Sequence, residues 1–349
     1  MSEKRTELSS LGEFGLIDRL AKGLELKNSS SVKGIGDDAA VIDHGDHFGL
    51  LSSDMLVEGV HFDLSYVPLQ HLGYKSIAVN VSDIAAMNGA PQQIVVSLGL
   101  SNRFSVEAVE ALYLGMKAAA EDFNVDIVGG DTTTSHSGLI ISVAVHGKVD
   151  KDKVVYRSGA GNNDILCATG DLGAAFIGLQ VMEREKQTFL ANPNMQPKLD
   201  DYQYLVQRQL KPKARMDVIH ELKALEVVPT AMIDISDGLA SEVLHLANHS
   251  GKGFAVYEEQ LPIDRQTYNT AVEFNIDPVT AALNGGEDYE LLFTIDQKDH
   301  DKLKSHADIH FIGHSQTADK GNELVTKGGN RVELKAQGWN HLSENQADQ

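Results

Sequence analysis

Cysteine occurs once in 349 residues, as Cys167, which excludes an internal disulfide and any cysteine-built metal cluster. Set in the apolar run DILCATG, it reads as an inert core residue. Tryptophan is equally scarce, and the single Trp339 is expected to be a packing anchor near the C-terminus. Cations are in deficit: 30 Lys and Arg stand against 50 Asp and Glu, a formal net charge of −20, so the basic face that nucleic-acid binding needs is missing. No apolar run approaches the ~18 residues of a membrane span. The opening MSEKRTELSSLGEFG has charges but neither an apolar stretch nor a small-residue cleavage site, so nothing marks export and the cytoplasm is the expected compartment. A Walker A lysine loop, an HExxH helix and a GxSxG elbow are also missing, which removes the commonest P-loop, zinc and serine-hydrolase readings.

What is present is acid, delivered in six short motifs beside Gly, Ser or Thr. They are GDDAAV from Gly36, SSDMLVEGVHF from Ser52, NVSDIAAMNGA from Asn80, GGDTT from Gly129, DISDGLA from Asp234 and GGEDYELLF from Gly285. Carboxylates next to small residues in tight turns are suited to holding Mg²⁺ against a polyphosphate. If they converge, each pair ~4 Å apart repels by about 4 kcal/mol at an effective dielectric near 20. Several such pairs would rival a domain stability of roughly 5–15 kcal/mol. Either the motifs are scattered over a solvated surface, or cations sit between them.

Taken singly, the motifs differ in what they require. Adjacent Asp37 and Asp38 fit a solvated turn or a cation-compensated pair. GIGDDA matches the dinucleotide pattern GxGxxA through Gly34, Gly36 and Ala39, but the polar NSSSVK before it is not the strand which that fingerprint needs. In GGDTT two glycines after a β-rich run imply a sharp turn or a close approach to a ligand. Asp131 then projects from a strand end, where α/β sheets place their sites. Asp234 and Asp237 fall at a strand end and on the first turn of the next helix, where an acid suits the helix dipole with or without a ligand. His61, three residues after Glu58, reads on its own as a partly buried structural histidine.

The length suits two domains of about 150 residues each. Short strands are expected over residues 39–63, then a helix opened by Pro68 and closed by Asn88 and Gly89, with Leu72, Ile77, Val81, Ile84 and Ala85 at helical spacing. QQIVVSLGL reads as a strand, and Ser105 as the N-cap of a helix facing inward through Val106, Val109, Leu112, Tyr113 and Met116. VDIV is a short strand feeding GGDTT, and LIISVAVHGKV is a longer one. Near residue 150 the pattern resets, placing one domain at 1–150 and a second at 151–349. The second alternates strands and helices, with Gly251 as a C-cap residue and a hairpin around Gly328 and Gly329. The fold class is α/β with mixed sheets.

In this order, SDMLVEGVHF, NVSDIAAMNGAP, DISDGL and GGEDYEL resemble the thiamine-monophosphate kinases, within the ATP-dependent superfamily of aminoimidazole ribonucleotide synthetase. The resemblance runs from Gly12 to about Leu342. It implies an N-terminal ATP- and Mg²⁺-binding domain whose sheet forms a barrel in a homodimer, and a C-terminal α/β domain closing over the site. It implies that Asp37, Ser52, Ser53, Asp54, Asp83, Asp131, Asp234 and Asp237 hold several Mg²⁺ ions, with Asp54, Asp131 and Asp237 carrying the catalytic weight. Tyr113, Gly130, Asp131, Arg157 and Ser236 match positions that contact ATP, and His61, Glu287 and Trp339 match positions that receive thiamine monophosphate. Ser52 and Ser53 stand where threonine is common in the family, and Trp339 where other aromatics are common.

The chemistry implied is direct phosphoryl transfer from ATP to a phosphate. That acceptor is largely an anion at pH 7, so no general base is required, and the task is to align two polyanions and neutralise their charge. Two other readings remain: a related synthetase that activates an amide or carbonyl oxygen, and a silent nucleotide- and Mg²⁺-binding module. A selenophosphate-forming relative is disfavoured, because no cysteine lies near the N-terminus.

Overall fold

Strict alternation along one strand shows how the first layer is built. In Ile140–Val149, residues Ile141, Val143, Val145 and Val149 are buried, while Ser142, Ala144, His146 and Lys148 lie on the opposite face. That is the pattern of a strand with one covered side. The computed structural model describes residues 7–337, so Trp339 lies outside the described residues. The first six strands are β1 (Ser31–Lys33), β2 (Ala40–Asp43), β3 (Phe48–Val57), β4 (Ala90–Leu100), β5 (Asp126–Thr134) and β6 (Ile140–Val149). They form one sheet in the order β1-β2-β3-β6-β4-β5, antiparallel except for the parallel β4–β5 pair. The sheet is open within the chain, with β1 and β5 as its edges. These six strands alone close no barrel. GGDTT lies inside β5 rather than after it, and this edge strand is exposed along most of its length.

Two helices, Leu69–Ala86 and Val106–Asp122, pack against each other and onto the covered face. A Cβ on Gly73 would lie 2.0 Å from the Leu112 carbonyl oxygen, and one on Gly115 1.7 Å from that of Gln70. The helices therefore touch backbone to backbone, which a larger residue at either position would prevent. Ser105 caps the second helix as expected, its Oγ accepting from the Ala108 N–H at 3.3 Å. The buried face is Leu112, Gly115, Met116 and Ala119, and Val106 is 70% exposed. Val109 and Tyr113 pack partly buried against the same core, so the glycine contact and the apolar residues share one helix face.

The remaining strands are β7 (Ile165–Thr169), β8 (Ala231–Asp234), β9 (Gly253–Tyr257), β10 (Leu291–Ile295), β11 (Ile309–Gln316), β12 (Asn322–Val325) and β13 (Arg331–Glu333). Their order is β13-β12-β9-β11-β7-β10-β8, antiparallel except for β12 with β9. The late hairpin is present, with Leu324 opposite Val332, and Gly251 ends the helix Leu239–Ser250 in the left-handed region at φ 62°. Both sheets are mixed or antiparallel and helix-covered, so the α/β class with mixed sheets is the one observed. Cys167 is fully buried in β7.

The helix Leu69–Ala86 positions the site. It lies between the sheets, and its Leu72, Ile77, Val81 and Ile84 share one core with Cys167, Leu291 and Phe293 of the second sheet. Each such fully buried side chain contributes roughly 1.5–3 kcal/mol. From Leu72 to Ala86 every residue is buried except Asp83, which is partly open. The same helix buries Lys75, Ser76, Asn80 and Ser82, polar groups that each need a partner.

Candidate active site

Carboxylates from four separate segments meet at the C-terminal part of this helix. Asp38 comes from the loop before β2, Asp54 from β3, Asp83 from the helix and Asp234 from the end of β8. Among the described residues, Asp38, Asp83 and Asp234 each place an oxygen within 4.8 Å of the others. Arg157 faces them: its Nη2 donates to Asp38 at 2.7 Å, and its backbone N–H donates to Asp37 at 3.0 Å. Lys33 lies 3.4 Å from Asp37.

Hydroxyls and amides orient the acids. Ser52 Oγ donates to Asp83 at 2.5 Å, and Ser82 Oγ donates to Asp234 at 2.6 Å. Asn80 Oδ1 accepts the Asp54 N–H at 3.0 Å, tying β3 to the helix. After β8, the Asp237 N–H donates to the buried Glu242 at 2.8 Å. In the GGEDYE loop, the Glu287 N–H donates to Ser236 O at 2.6 Å and the Tyr289 N–H to Ile235 O at 2.9 Å, so the fifth and sixth motifs lie against each other.

The electrostatics show an unbalanced site. Burial pushes Asp38 up to about 7 against the opposing pull of Arg157. Burial, with Asp38 nearby, raises Asp54 to about 6. Asp234 is raised to about 6 by burial, opposed by Ser82 and Arg157. Asp83 lies well above the usual carboxylate range through burial and then the charges of Asp54, Asp234 and Asp38. Asp38 Oδ2 is buried with no hydrogen-bond partner among the described residues. An orphaned carboxylate oxygen within a group of close, desolvated acids matches an oxygen-ligated divalent cation such as Mg²⁺.

The expected residues are thus partly gathered. Ser52, Asp54, Asp83, Asp234, Ser236, Asp237, Arg157 and Asp37 surround or adjoin the cluster. Ser53, the next residue of β3 after Ser52, is exposed. Asp131 is exposed on β5, in line through Ser97 and Ser142 with Met55 of β3. Three strand spacings, about 14 Å, separate β5 from β3, and the register puts Asp131 on the face of Met55, opposite to that of Asp54. Gly130 shares its strand, and Tyr113 lies on the neighbouring helix, partly buried against the core. His61 sits in the turn after β3, its Nδ1 accepting the Val57 N–H at 3.0 Å. Glu287 is held by Lys75 and Gln209. The sequence reading takes Asp37 and Asp38 as a pair in need of a cation but carries only Asp37 into the metal set, whereas Asp38 is the one that reaches the cluster. Ser82 and Asn80 were missed as well, although the three-residue step from Asn80 to Asp83 puts both on one helix face.

Comparison with known proteins agrees with this geometry. Residues 36–149 match the family model for the AIR synthase related protein, N-terminal domain. The thiamine-monophosphate kinase of Aquifex aeolicus is 36% identical over 96% of this chain and 99% of its own length. That of Bacillus subtilis is 32% identical over 95% and 100%. The solved structure of AaThiL complexed with AMPPCP and TMP is 34% identical and covers 97% of this chain and 100% of that one, with a TM-score of 0.82. Hydrogenase maturation protein HypE in complex with ATP, 19% identical with a TM-score of 0.66, shares the fold. By length, identity and overall structure, the chain belongs to the thiamine-monophosphate kinase family.

Proposed function

We propose that this protein transfers the γ-phosphoryl group of ATP to thiamine monophosphate, yielding thiamine diphosphate and ADP. The observation that carries the reading is the junction of Asp38, Asp54, Asp83 and Asp234 around a single arginine, in a chain alignable end to end with thiamine-monophosphate kinases. An acidic site of this kind accepts polyphosphates only with divalent cations. Asp38, Asp54, Asp83 and Asp234 are the side chains that would hold Mg²⁺, with Asp37, Ser52, Ser53 and Asp237 beside them. Bound there, the ions would neutralise the phosphates and favour in-line approach of acceptor and donor.

The chain's own groups do the rest. Arg157, anchored on Asp38 and with its Nε unpartnered and buried, is the cation placed to meet a phosphate oxygen. Ser236 and Asp237 present the loop after β8, and the acceptor is assigned to His61, Glu287 and Trp339, the last outside the described residues. Asp131, Gly130 and Tyr113 stand apart from the cluster, a distance that the length of a nucleoside triphosphate, or a second chain at the β5 edge, has to bridge. A homodimer through the first sheet is supported by its open edge and by Leu51, Met55, Val95 and Val128, which leave apolar surface on it. On this reading residues 1–150 form the nucleotide and dimerisation domain, residues 151–349 close over it, and the enzyme works in the cytoplasm.

The test is incubation of purified protein with Mg²⁺, ATP and thiamine monophosphate, with chromatographic separation of the thiamine species. Metal-dependent thiamine diphosphate matched by ADP is the expected result. ATP consumption without it would overturn the reading.

A further inference from the structure

Glu287 occupies a backbone conformation that its residue type resists. Its φ is 59°, and that of Tyr289 two residues later is 51°, both in the left-handed region that favours glycine. Such a loop persists where its surroundings hold it, and three elements do so. Lys75 Nζ, on the helix Leu69–Ala86, lies 3.1 Å from Glu287 Oε2 and donates to Gln209 O at 3.1 Å. Gln209, on the helix Gln203–Leu210, donates from Nε2 to the same Glu287 Oε2 at 2.5 Å. The reverse amide orientation would set an oxygen against the carboxylate, so this one is required. Lys75 and Gln209 are both 5% exposed, whereas the Glu287 side chain keeps 28% of its surface open.

Both buried donors converge on one oxygen. Oε2 takes both donors, which leaves Oε1 as the acceptor that neither of them uses. We propose that Lys75 and Gln209 are positioning residues for the acceptor substrate: by fixing Oε2 they aim Oε1 of Glu287 at thiamine monophosphate. The inference rests on the function proposed above. The lysine also fixes a length. Lys75 and Asp83 lie eight residues apart on one helix, about 12 Å along its axis. The helix therefore carries the carboxylate cluster at one point and the anchor of Glu287 about two turns away. A ligand with a phosphate at one end and a ring with an N–H donor at the other suits that spacing, and the aminopyrimidine is the ring of thiamine monophosphate that carries such a donor.

The test uses the full chain with Lys75→Met, which keeps the stem but removes the ammonium, and Gln209→Leu, which leaves the Lys75–Glu287 pair in place. Steady-state KM values for thiamine monophosphate and ATP are measured, with thermal melts to confirm folding. The KM for thiamine monophosphate is expected to rise at least about tenfold in Lys75→Met, the loss of a hydrogen bond to a charged group, while that for ATP stays within about twofold. Adding Lys75→Met to Glu287→Gln is expected to cause little further rise, since the lysine acts through the carboxylate. If Lys75→Met does not fold, Gln209→Leu carries the same contrast alone. Parallel rises in both KM values, or an unchanged KM for thiamine monophosphate in folded variants, would overturn the positioning role while wild-type turnover left the proposed function standing. Absence of thiamine diphosphate from the wild type would sink both.

Discussion

Replacing Asp83 by Asn is expected to make the metal-free protein more stable and the metal-loaded protein worse. Asp83 faces the most opposing charge of the clustered acids: Asp54, Asp234 and Asp38 all oppose it, and Ser52 supports it. Two unit charges 4.8 Å apart repel by about 3.5 kcal/mol at an effective dielectric near 20. Arg157 and partial protonation offset part of this, leaving an expected gain of about 2–3 kcal/mol in EDTA at pH 8. The asparagine oxygen can still accept from Ser52, so no hydrogen bond need be lost. At about 2–4 °C per kcal/mol, the melting temperature rises by several degrees.

The gain depends on pH in a defined direction. Asp38, Asp54 and Asp234 have folded-state values of about 7, 6 and 6, above the usual carboxylate value. For groups raised in this way the repulsion is absent at low pH and grows as pH rises through 6 to 7, destabilising the apoprotein. The advantage of Asp83→Asn therefore shrinks towards pH 5. Saturating Mg²⁺ reverses the ranking, since a cation at about 1,000 times its Kd stabilises the wild type by about 4.1 kcal/mol. Thermal melts from pH 5 to 8, with EDTA or Mg²⁺, read all of this. A variant less stable than wild type in EDTA at pH 8, or one stabilised by Mg²⁺ as strongly as wild type, would refute the account.

Three further outcomes are expected. Asp131→Asn abolishes turnover but leaves the urea midpoint unchanged, because Asp131 is exposed and its burial contributes little to stability; activity near wild type would remove it from the metal set. Gly130→Ala would place a Cβ 1.8 Å from the Val96 carbonyl oxygen and so force β4 and β5 apart. A loss of at least about 2 kcal/mol in urea melts is expected, and a neutral effect would contradict the close approach. Trp339→Ala raises the KM for thiamine monophosphate far more than that for ATP, and equal effects would indicate a folding defect.

Legibility in the sequence followed the range of the interactions. The helix after Pro68, the Ser105 cap, the alternation in LIISVAVHGKV and the Gly328–Gly329 hairpin are local patterns, and all appear in the structure. The acidic motifs also announced a site, since Asp83 and Asp234 come together although 151 residues separate them. Pairwise choices were less legible. That Asp38 turns inward depends on Arg157, more than a hundred residues away, and the identity of that partner leaves no periodic trace. In the helix Val106–Asp122 the apolar positions Val109, Leu112, Tyr113 and Met116 face the core as read and only Val106 does not, whereas the close approach at Gly73 and Gly115 has no hydrophobic signature. GGDTT read as a turn after a strand, yet it continues β5; Gly130 serves a close strand contact at Val96 instead. Lys75 and Gln209 were invisible for the same reason as Arg157: a buried polar residue shows its purpose only beside its partner.

The central claim is that this acidic site joins ATP to thiamine monophosphate through divalent cations. A Mg²⁺ titration of thiamine diphosphate formation, with thiamine, metal-free and Asp83→Asn controls, tests it most directly. The account predicts product matched one for one by ADP, dependent on Mg²⁺ and lost or shifted to much higher Mg²⁺ in Asp83→Asn. Thiamine diphosphate formed in EDTA, or ADP released without it, would contradict the account.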